Sequence, residues 1–445
     1  MFDAFRYSLK NLVKKILPPG ILPSYHRVLA VLAAAWYGFP SKKMIIIGVT
    51  GTKGKTTVVH LIAHILRCHR SKVGYTSGLE FSWHDGSLPN LTKMTMPGPF
   101  ILQRMMSKMV QSGCAYAVIE TTSEGIVQSR HLGIDYDIVA LTNLSPEHIE
   151  SHGSFEAYRA AKGKLLASLA TRKKKSSFPF SVKVLNRDDD SYEFFSQFYS
   201  DRTVAVSRDS TRRGTEDMLV AEHVAVTARQ ISFSISGRQF TLPFTGAHNV
   251  SNALIAIAAT SVLGMSLSEV SSALASSRLP DGRFQMIHSP RGFTVVVDYA
   301  HEPASLRASY EAVRLFKPKR IFAVFGCTGG GRDTWRRPVM GALAAEYADV
   351  VIITTDDPYD DRPESIIAEV AAGVRTYGKK KFTEGENLFL ITGRRGAIRK
   401  ALSEARAGDL VMITGKGGEK VMAVRGGKLI PWDDSEIVRE AFKSV

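Results

Sequence analysis

The run MIIIGVTGTKGKTTVVHLIAHILRC, residues 44–68, constrains this chain more than any other segment. Met44 to Val49 is short, apolar and rich in β-branched residues, the pattern of a strand buried on both faces of a parallel sheet. Gly51 to Thr57 (GTKGKTT) follows, and after it come apolar residues at helical spacing. Gly48, Gly54, Lys55 and Thr56 together meet the pattern GxxxxGK[ST]. In a strand–loop–helix context that pattern cradles phosphate on backbone N–H groups, with the Lys on the outer phosphates and the hydroxyl on Mg²⁺. The chain must therefore be built on a parallel α/β sheet. Lys55 and Thr56 are the expected contacts.

A second apolar run, Ala115 to Ile119, ends in Glu120. An acid at the C-terminal tip of a parallel strand beside such a loop is placed for a further Mg²⁺ contact. From about Leu279 the alternation restarts. Strand-like runs at 294–300, 320–327, 349–357, 387–393 and 409–418 alternate with helices that begin near Pro303, Arg336, Pro363 and Arg394. This predicts a second α/β unit with a largely parallel sheet.

The balance of 58 Lys+Arg against 42 Asp+Glu, net +16, favours anionic partners. The runs RKKK (172–175) and KKK (379–381) read as solvated loops, and no nucleic-acid motif accompanies the charge. Cys68, Cys114 and Cys327 form neither a CxxC pair nor an even set, so a reducing cytoplasm is expected.

The first 43 residues are different in character. Phe2, Phe5, Leu9, Leu12, Val13 and Ile16 recur at helical spacing with Lys10, Lys14 and Lys15 among them, a basic amphipathic helix ended by Pro18-Pro19-Gly20. A second apolar run, Val28 to Phe39, is too short to span a bilayer. Two readings stand: a helical extension packed on the domain behind it, or peripheral contact of residues 1–16 with an anionic membrane.

These motifs resemble the Mur ligases, ATP-dependent amide-bond-forming enzymes of peptidoglycan synthesis, and within them the UDP-N-acetylmuramoyl-tripeptide synthetase (MurE-type) branch. GTKGKTT is similar to the family's GTNGKT loop, with Lys53 where Asn is usual. MTMPGP, with Thr95, Met96 and Pro97, resembles its substrate-side loop. IETTSEGI, with Thr121 and Thr122 after Glu120, resembles its EVSSH segment. LTNLSPEHIESHGSFEAYRAAKGKLL resembles the block in which the family has a metal-binding His and a carbamylated Lys; His148 and Lys162 match. FTGAHNVSNAL resembles the adenine-side block, which implies roles for His248, Asn249 and Asn252.

In the C-terminal half LPDGRFQMI, with Arg283, resembles the family's linker segment. VVDYAHEPASL resembles its DYAHxPxxL motif, which implies Asp298 at the ribose and Tyr299 and His301 on the nucleotide side. Arg332 and Asp333 match a GCGGDRD element. GKGGE, with Gly415 and Glu419, resembles GKGHE with Gly418 where His is usual. At Asp356, Asp357, Pro358 and Tyr359 the chain reads DDPY where diaminopimelate enzymes carry DNPR. The guanidinium that would grip a distal carboxylate is thus replaced by Tyr359. Asp360 and Asp361 make the loop acidic, which suits a basic side chain such as lysine better than diaminopimelate.

The resemblance implies an α/β Mur ligase of three parts: a helical extension over 1–43, an ATP-binding central domain over 44–278 and a Rossmann-like domain over 279–445. The short extension stands where MurE-type enzymes usually have a whole domain for the UDP end. The implied reaction adds a free amino acid to a UDP-MurNAc-dipeptide through an acyl phosphate, with ATP and two Mg²⁺ ions. A lipid-linked muropeptide or a folate- or polyglutamate-type acceptor is the enzymatic alternative. A nucleotide-binding scaffold with a degenerate site is the alternative of another class.

Overall fold

The computed structural model describes residues 20–147, 152–212, 217–331 and 333–443. The basic segment 1–16, His148 and Arg332 lie outside the described residues. The described chain forms two compact units that part between Arg278 and Leu279.

The first unit holds a sheet of nine strands: β1 (Ile45–Thr50), β2 (Val73–Thr76), β3 (Glu80–Trp83), β4 (Gly86–Pro89), β5 (Tyr116–Glu120), β6 (Ile138–Leu141), β7 (Val182–Asn186), β8 (Arg202–Ser207) and β9 (Asp217–Val220). Their spatial order is β4-β3-β2-β5-β1-β6-β7-β8-β9. All pairings are parallel except those of β3 with β2 and β4. β1 is buried along its whole length between β5 and β6, which explains its unbroken apolar sequence. The strand order reverses at β1, and such sheets bind ligands beyond the strand C-termini at that reversal. Gly48 lets Tyr136 lie flat on β1: a Cβ there would stand 2.6 Å from the ring.

The helix Leu22–Trp36 turns its small residues Ala30, Ala33 and Ala34 onto this unit and joins β1 through a short 3₁₀ turn, Pro40–Lys43. A separate antiparallel sheet, β10 (Glu222–Val226), β11 (Ile231–Ile235) and β12 (Arg238–Leu242), completes the unit. The helices His248–Ser261 and Leu267–Leu274 follow it.

The 172–175 segment departs from the solvated loop expected of it. The run RKKK is not uniformly solvated, because Arg172 and Lys175 reach into the protein and pair with the fully buried Asp137. Asp137 also accepts a hydrogen bond from Ile46 N at 2.7 Å, and Lys175 Nζ donates to Met44 O at 2.7 Å. The start of β1, the start of β6 and the 172–175 loop are tied together there. Lys173 and Lys174 remain exposed, as do the three lysines at 379–381.

The second unit contains β13 (Gln285–His288), β14 (Thr294–Asp298), β15 (Ile321–Phe325), β16 (Val350–Thr354), β17 (Leu388–Ile391) and β18 (Leu410–Thr414), in the order β13-β14-β18-β15-β16-β17. Only the pairing of β13 with β14 is antiparallel. The intervening helices are Pro303–Arg314, Arg336–Tyr347, Pro363–Thr376 and Arg394–Glu404. A hairpin, β19 (Val421–Val424) with β20 (Lys428–Pro431), and the helix Asp434–Lys443 close the chain.

Burial pushes the Asp137 carboxyl up and the Lys175 amine down, so the ion cluster survives only while all its members are paired. Asp137→Ala would strand two buried cations. We expect it to cost about 3–5 kcal/mol of unfolding free energy, read from a urea midpoint; a loss under ~1 kcal/mol would contradict this account.

Candidate active site

The loop Gly51–Thr57 leaves β1 and enters the helix Lys55–Cys68. Gly51 and Gly54 have φ of +142° and +81°. A Cβ on Gly51 would stand 1.9 Å from Thr142 Oγ1, and one on Gly54 2.2 Å from Asn252 Oδ1. Glycine is therefore required twice, for backbone conformation and for close approach. The segment after β6 holds the loop from outside. Asn143 Oδ1 accepts from Lys53 N at 2.9 Å, Thr142 Oγ1 donates to Lys53 O at 2.6 Å, and Thr52 N donates to Asn143 O at 2.8 Å. Thr52 Oγ1 lies 2.9 Å from the Tyr158 hydroxyl. Lys53 Nζ pairs with Glu147 at 2.8 Å.

Two amines converge on this loop. Lys55 Nζ donates to Gly51 O at 3.0 Å and to Thr52 O at 2.8 Å. Lys162 Nζ, from the helix Phe155–Thr171, donates to the same Gly51 O at 2.8 Å. Lys162 is 1% exposed and its amine lies 4.6 Å over the Tyr158 ring. Burial, and then repulsion from Lys55, holds its pKa well below the ordinary lysine value. An anion between these amines would relieve that repulsion.

Glu120, at the tip of β5, is 2% exposed. It accepts from Thr56 Oγ1 at 3.0 and 3.1 Å and from Gly78 N at 2.9 Å. A hydroxyl and a carboxylate in contact are hard oxygen donors that suit Mg²⁺. Thr57 is buried in the first turn of the helix after the loop. Asn249 Nδ2 donates to Thr245 O and Asn252 Nδ2 to Asn249 Oδ1, both at 2.9 Å, so Asn252 is locked against Gly54. His248 is exposed at the start of that helix.

Some expected contacts are engaged elsewhere. Met96 is 1% exposed and packed in the core, while its carbonyl accepts from the buried Arg130. Thr121 is fully buried and bonds Ile119 O and Tyr136 OH, both at 3.2 Å. Thr122 caps the helix Ser123–Val127 by accepting from Gly125 N. Of the substrate-side loop, Pro97 is buried and Thr95 is half-buried beside Gly78. Strand ends, helix caps and core packing account for the burial of Met96, Pro97 and Thr121.

In the second unit Asp298 is likewise committed internally. It accepts from Phe284 N at 3.0 Å, from Tyr299 N at 2.8 Å and from Ser309 Oγ. Through these bonds it holds the turn that presents Tyr299. The Arg283 guanidinium stacks 4.2 Å from the Tyr299 ring, and His301 lies 4.6 Å from it on a ring-to-ring measure.

Beyond β16 and β18 lies an ion cluster. Lys416 is fully buried and donates to Asp357 Oδ1 at 2.9 Å and Glu419 Oε2 at 2.6 Å, with Asp356 at 3.9 Å. Burial disfavours its charge, but the three carboxylates outweigh that and raise its pKa. Burial and the neighbouring Asp357 push Asp356 up to about 6. Gly415 (φ +108°) allows the approach, since a Cβ there would meet Asp356 Oδ2 at 2.6 Å. Pro358 is buried, and Tyr359 has φ +50° and sits beside Gly330. Asp360 accepts from Gly426 N at 2.8 Å, and Asp361 from Gly330 N at 3.1 Å and Arg337 at 3.3 Å. The acidity expected at Asp360 and Asp361 is thus tied into the fold, and the net negative cluster is Asp356, Asp357 and Glu419 around Lys416.

Sequence reasoning passed over Lys416, Tyr158 and His152. Lys416 lies between two glycines after a strand, and Tyr158 precedes Lys162 by one helical turn; both spacings were visible. His152 Nε2 lies 3.1 Å from Ser123 Oγ, and its ring meets Tyr158 edge-on at 5.2 Å. Burial, then Lys162, lowers its pKa.

Fold and site together define a P-loop α/β protein whose second unit carries a dense ionic cluster. The Mur ligase middle domain matches residues 49–260 and the Mur ligase glutamate ligase domain residues 282–417. The UDP-N-acetylmuramoyl-L-alanyl-D-glutamate--2,6-diaminopimelate ligase of Geobacillus thermodenitrificans is 35% identical, over 96% of this chain and 84% of the relative. The UDP-N-acetylmuramyl-tripeptide synthetase of Roseiflexus sp. is 34% identical, over 95% and 83%. A solved UDP-N-acetylmuramoyl-L-alanyl-D-glutamate--2,6-diaminopimelate ligase superposes with a TM-score of 0.58 at 30% identity, covering 90% of this chain and 78% of its own. The chain belongs to the Mur ligase family, among its MurE-type members.

Because burial depresses the Lys162 pKa, the unfolded chain binds more protons than the folded one between that lowered value and the ordinary lysine pKa. Folding is penalised below this window and the penalty fades as pH rises through it. In protein kept free of CO₂, so that Lys162 stays an unmodified amine, Lys162→Met should therefore raise the thermal midpoint near neutral pH, with the gain shrinking as pH approaches the ordinary lysine value. A midpoint lowered at every pH would contradict this.

Proposed function

We propose that this chain joins a free amino acid to the peptide carboxylate of a UDP-MurNAc-dipeptide at the expense of ATP. The observation that carries the reading is the pairing of a two-amine phosphate loop, Lys55 and Lys162 on Gly51 O, with the Thr56–Glu120 contact. A degenerate scaffold would have no reason to keep both.

The acceptor carboxylate attacks the γ-phosphorus of ATP, giving an acyl phosphate and ADP. The amine of the amino acid then attacks the acyl carbon, an amide forms, inorganic phosphate leaves and the amine gives up a proton. Lys55 and the backbone N–H groups of the loop neutralise and orient the phosphates. Thr56 and Glu120 would hold Mg²⁺, which supplies charge neutralisation when bound. His148 and a carbamylated Lys162 are the residues we assign to a second ion. The lowered pKa of Lys162 supports the carbamate, because only a neutral amine adds CO₂. Asn249, Asn252 and His248 are assigned to the adenine side, and Arg283, Tyr299 and His301 to the nucleotide in the second unit, with Asp298 as their positioning residue.

The incoming amino acid is assigned to Asp356, Asp357, Lys416, Glu419 and Tyr359. Three carboxylates around one ammonium leave a net negative charge that suits an amine. With Tyr359 in place of a guanidinium, lysine is favoured over diaminopimelate. We assign the chain to the cytoplasm, in keeping with its three free cysteines. Among the described residues no helix is long and apolar enough to cross a membrane. Residues 1–16 are retained as a peripheral membrane contact on their basic amphipathic sequence.

Phosphate release should require both UDP-MurNAc-L-Ala-D-Glu and one amino acid from a panel. No stimulation by any member would refute the assignment. Lys55→Ala should lower turnover by on the order of 10²–10³. Tyr359→Arg should shift the lysine-to-diaminopimelate preference toward diaminopimelate by about tenfold; an unchanged profile would remove Tyr359 as the selector.

A further inference from the structure

The helix Leu22–Trp36 is built inside out for a helix on a globular surface. Its inward face is alanine: Ala30, Ala33 and Ala34 are fully buried, and Ala34 lies so close to Gly133 that a Cβ there would be 2.6 Å away. Its outward face is large and apolar. Ile21, Tyr25, Val28, Val31, Leu32 and Trp36 are all exposed, Leu32 by 56%, Val28 by 58% and Trp36 by 79%. Ile21, Tyr25, Val28, Leu32 and Trp36 follow one another at three- and four-residue intervals, so they form one continuous stripe. Isolated exposed apolar residues need no explanation, whereas a stripe of this length marks an interaction surface.

Along the sequence, the charge flanking the stripe is of one sign. No Asp or Glu occurs between Asp3 and Glu80, while twelve Lys or Arg do. Arg27 is the only charged residue within the helix, and Lys42 and Lys43 are exposed just beyond Trp36. β1, β6, β7 and β8 are adjacent and parallel, so the residues that precede them share one end of the sheet. Lys42 and Lys43 precede β1. Lys173, Lys174 and Phe180, all exposed, precede β7, and the exposed Tyr199 precedes β8. Of the acids at this end, Asp137 pairs with Arg172 and Lys175 and Asp201 accepts from Ser181 N at 2.7 Å, while Asp135, half-buried before β6, adds one negative group among these cations.

We propose that the outward face of the helix Leu22–Trp36 lies in the interface of an anionic lipid bilayer, with the surrounding lysines on its headgroups. Apolar side chains, aromatic residues near both ends and flanking basic groups are the features of an interfacial helix. Fifteen residues at 1.5 Å each span about 22 Å, short of the ~30 Å hydrocarbon core, so the helix lies on the bilayer and does not cross it. The phosphate loop sits at the other end of β1 and stays in water. This inference does not depend on the ligase reading and can fail separately from it.

The test is sedimentation of the full-length protein with vesicles of phosphatidylglycerol and phosphatidylcholine, or of phosphatidylcholine alone. Binding should appear with the anionic vesicles, weaken with salt, and shift Trp36 fluorescence to the blue, a signal that Trp36→Phe removes. Leu32→Glu with Trp36→Ala should cut binding at least about tenfold and leave phosphate release unchanged. Val28→Ser, a milder change, should give an intermediate loss. Three results would overturn the proposal. One is no binding to anionic vesicles. Another is full binding by the double variant, which would leave residues 1–19 alone responsible. The third is a dimer by light scattering that the double variant abolishes, which would assign the face to a second copy.

Discussion

Two lysine amines share one backbone carbonyl, that of Gly51, and much of the first unit exists to hold them there. Lys55 arrives from the first turn of its helix, Lys162 from a helix some hundred residues later. Like charges this close are held only if the scaffold is rigid on both sides. β1 supplies one side, buried between β5 and β6. The segment Thr142–Ser145 supplies the other, with Asn143 and Thr142 gripping the backbone of Lys53. Burial, and then repulsion from Lys55, acts on Lys162 and lowers its pKa. Lys162 is therefore the group whose protonation the site controls.

The second unit answers with the opposite sign. Lys416 is buried among Asp356, Asp357 and Glu419, so here the carboxylates are in excess. An ammonium among three carboxylates is well paired, while burial, and then the neighbouring Asp357, raises the Asp356 pKa. The first unit thus gathers amines around its phosphate loop, and the second gathers carboxylates around Lys416.

The remaining positive charge lies apart from this chemistry. Asp137 draws Arg172 and Lys175 inward and leaves Lys173 and Lys174 outside, at the end of the sheet where β1, β6 and β7 begin. The helix before β1 adds an apolar stripe to the same unit. A net charge of +16 is therefore divided among distinct tasks rather than spread as one field.

The parallel sheets, the phosphate loop and the acid at the tip of β5 are all legible in local sequence. An apolar β-branched run, a glycine loop and a helical period are local signals that need no partner to be read. The same holds for the strands and helices of the second unit, from β14 to β18. Which polar side chains are buried or hydrogen-bonded emerges only from packing between distant segments. Met96 and Thr121 carry motif identity but are buried by packing, and Asp298 is claimed by two backbone amides and Ser309. Lys416 and Tyr158 became visible only once the chain closed on itself. Packing likewise decided that a lysine run contributes two buried cations and two exposed ones, and that the helix 22–36 turns its alanines inward. Burial and hydrogen-bond pairing are set by residues distant in sequence, and no local pattern encodes them.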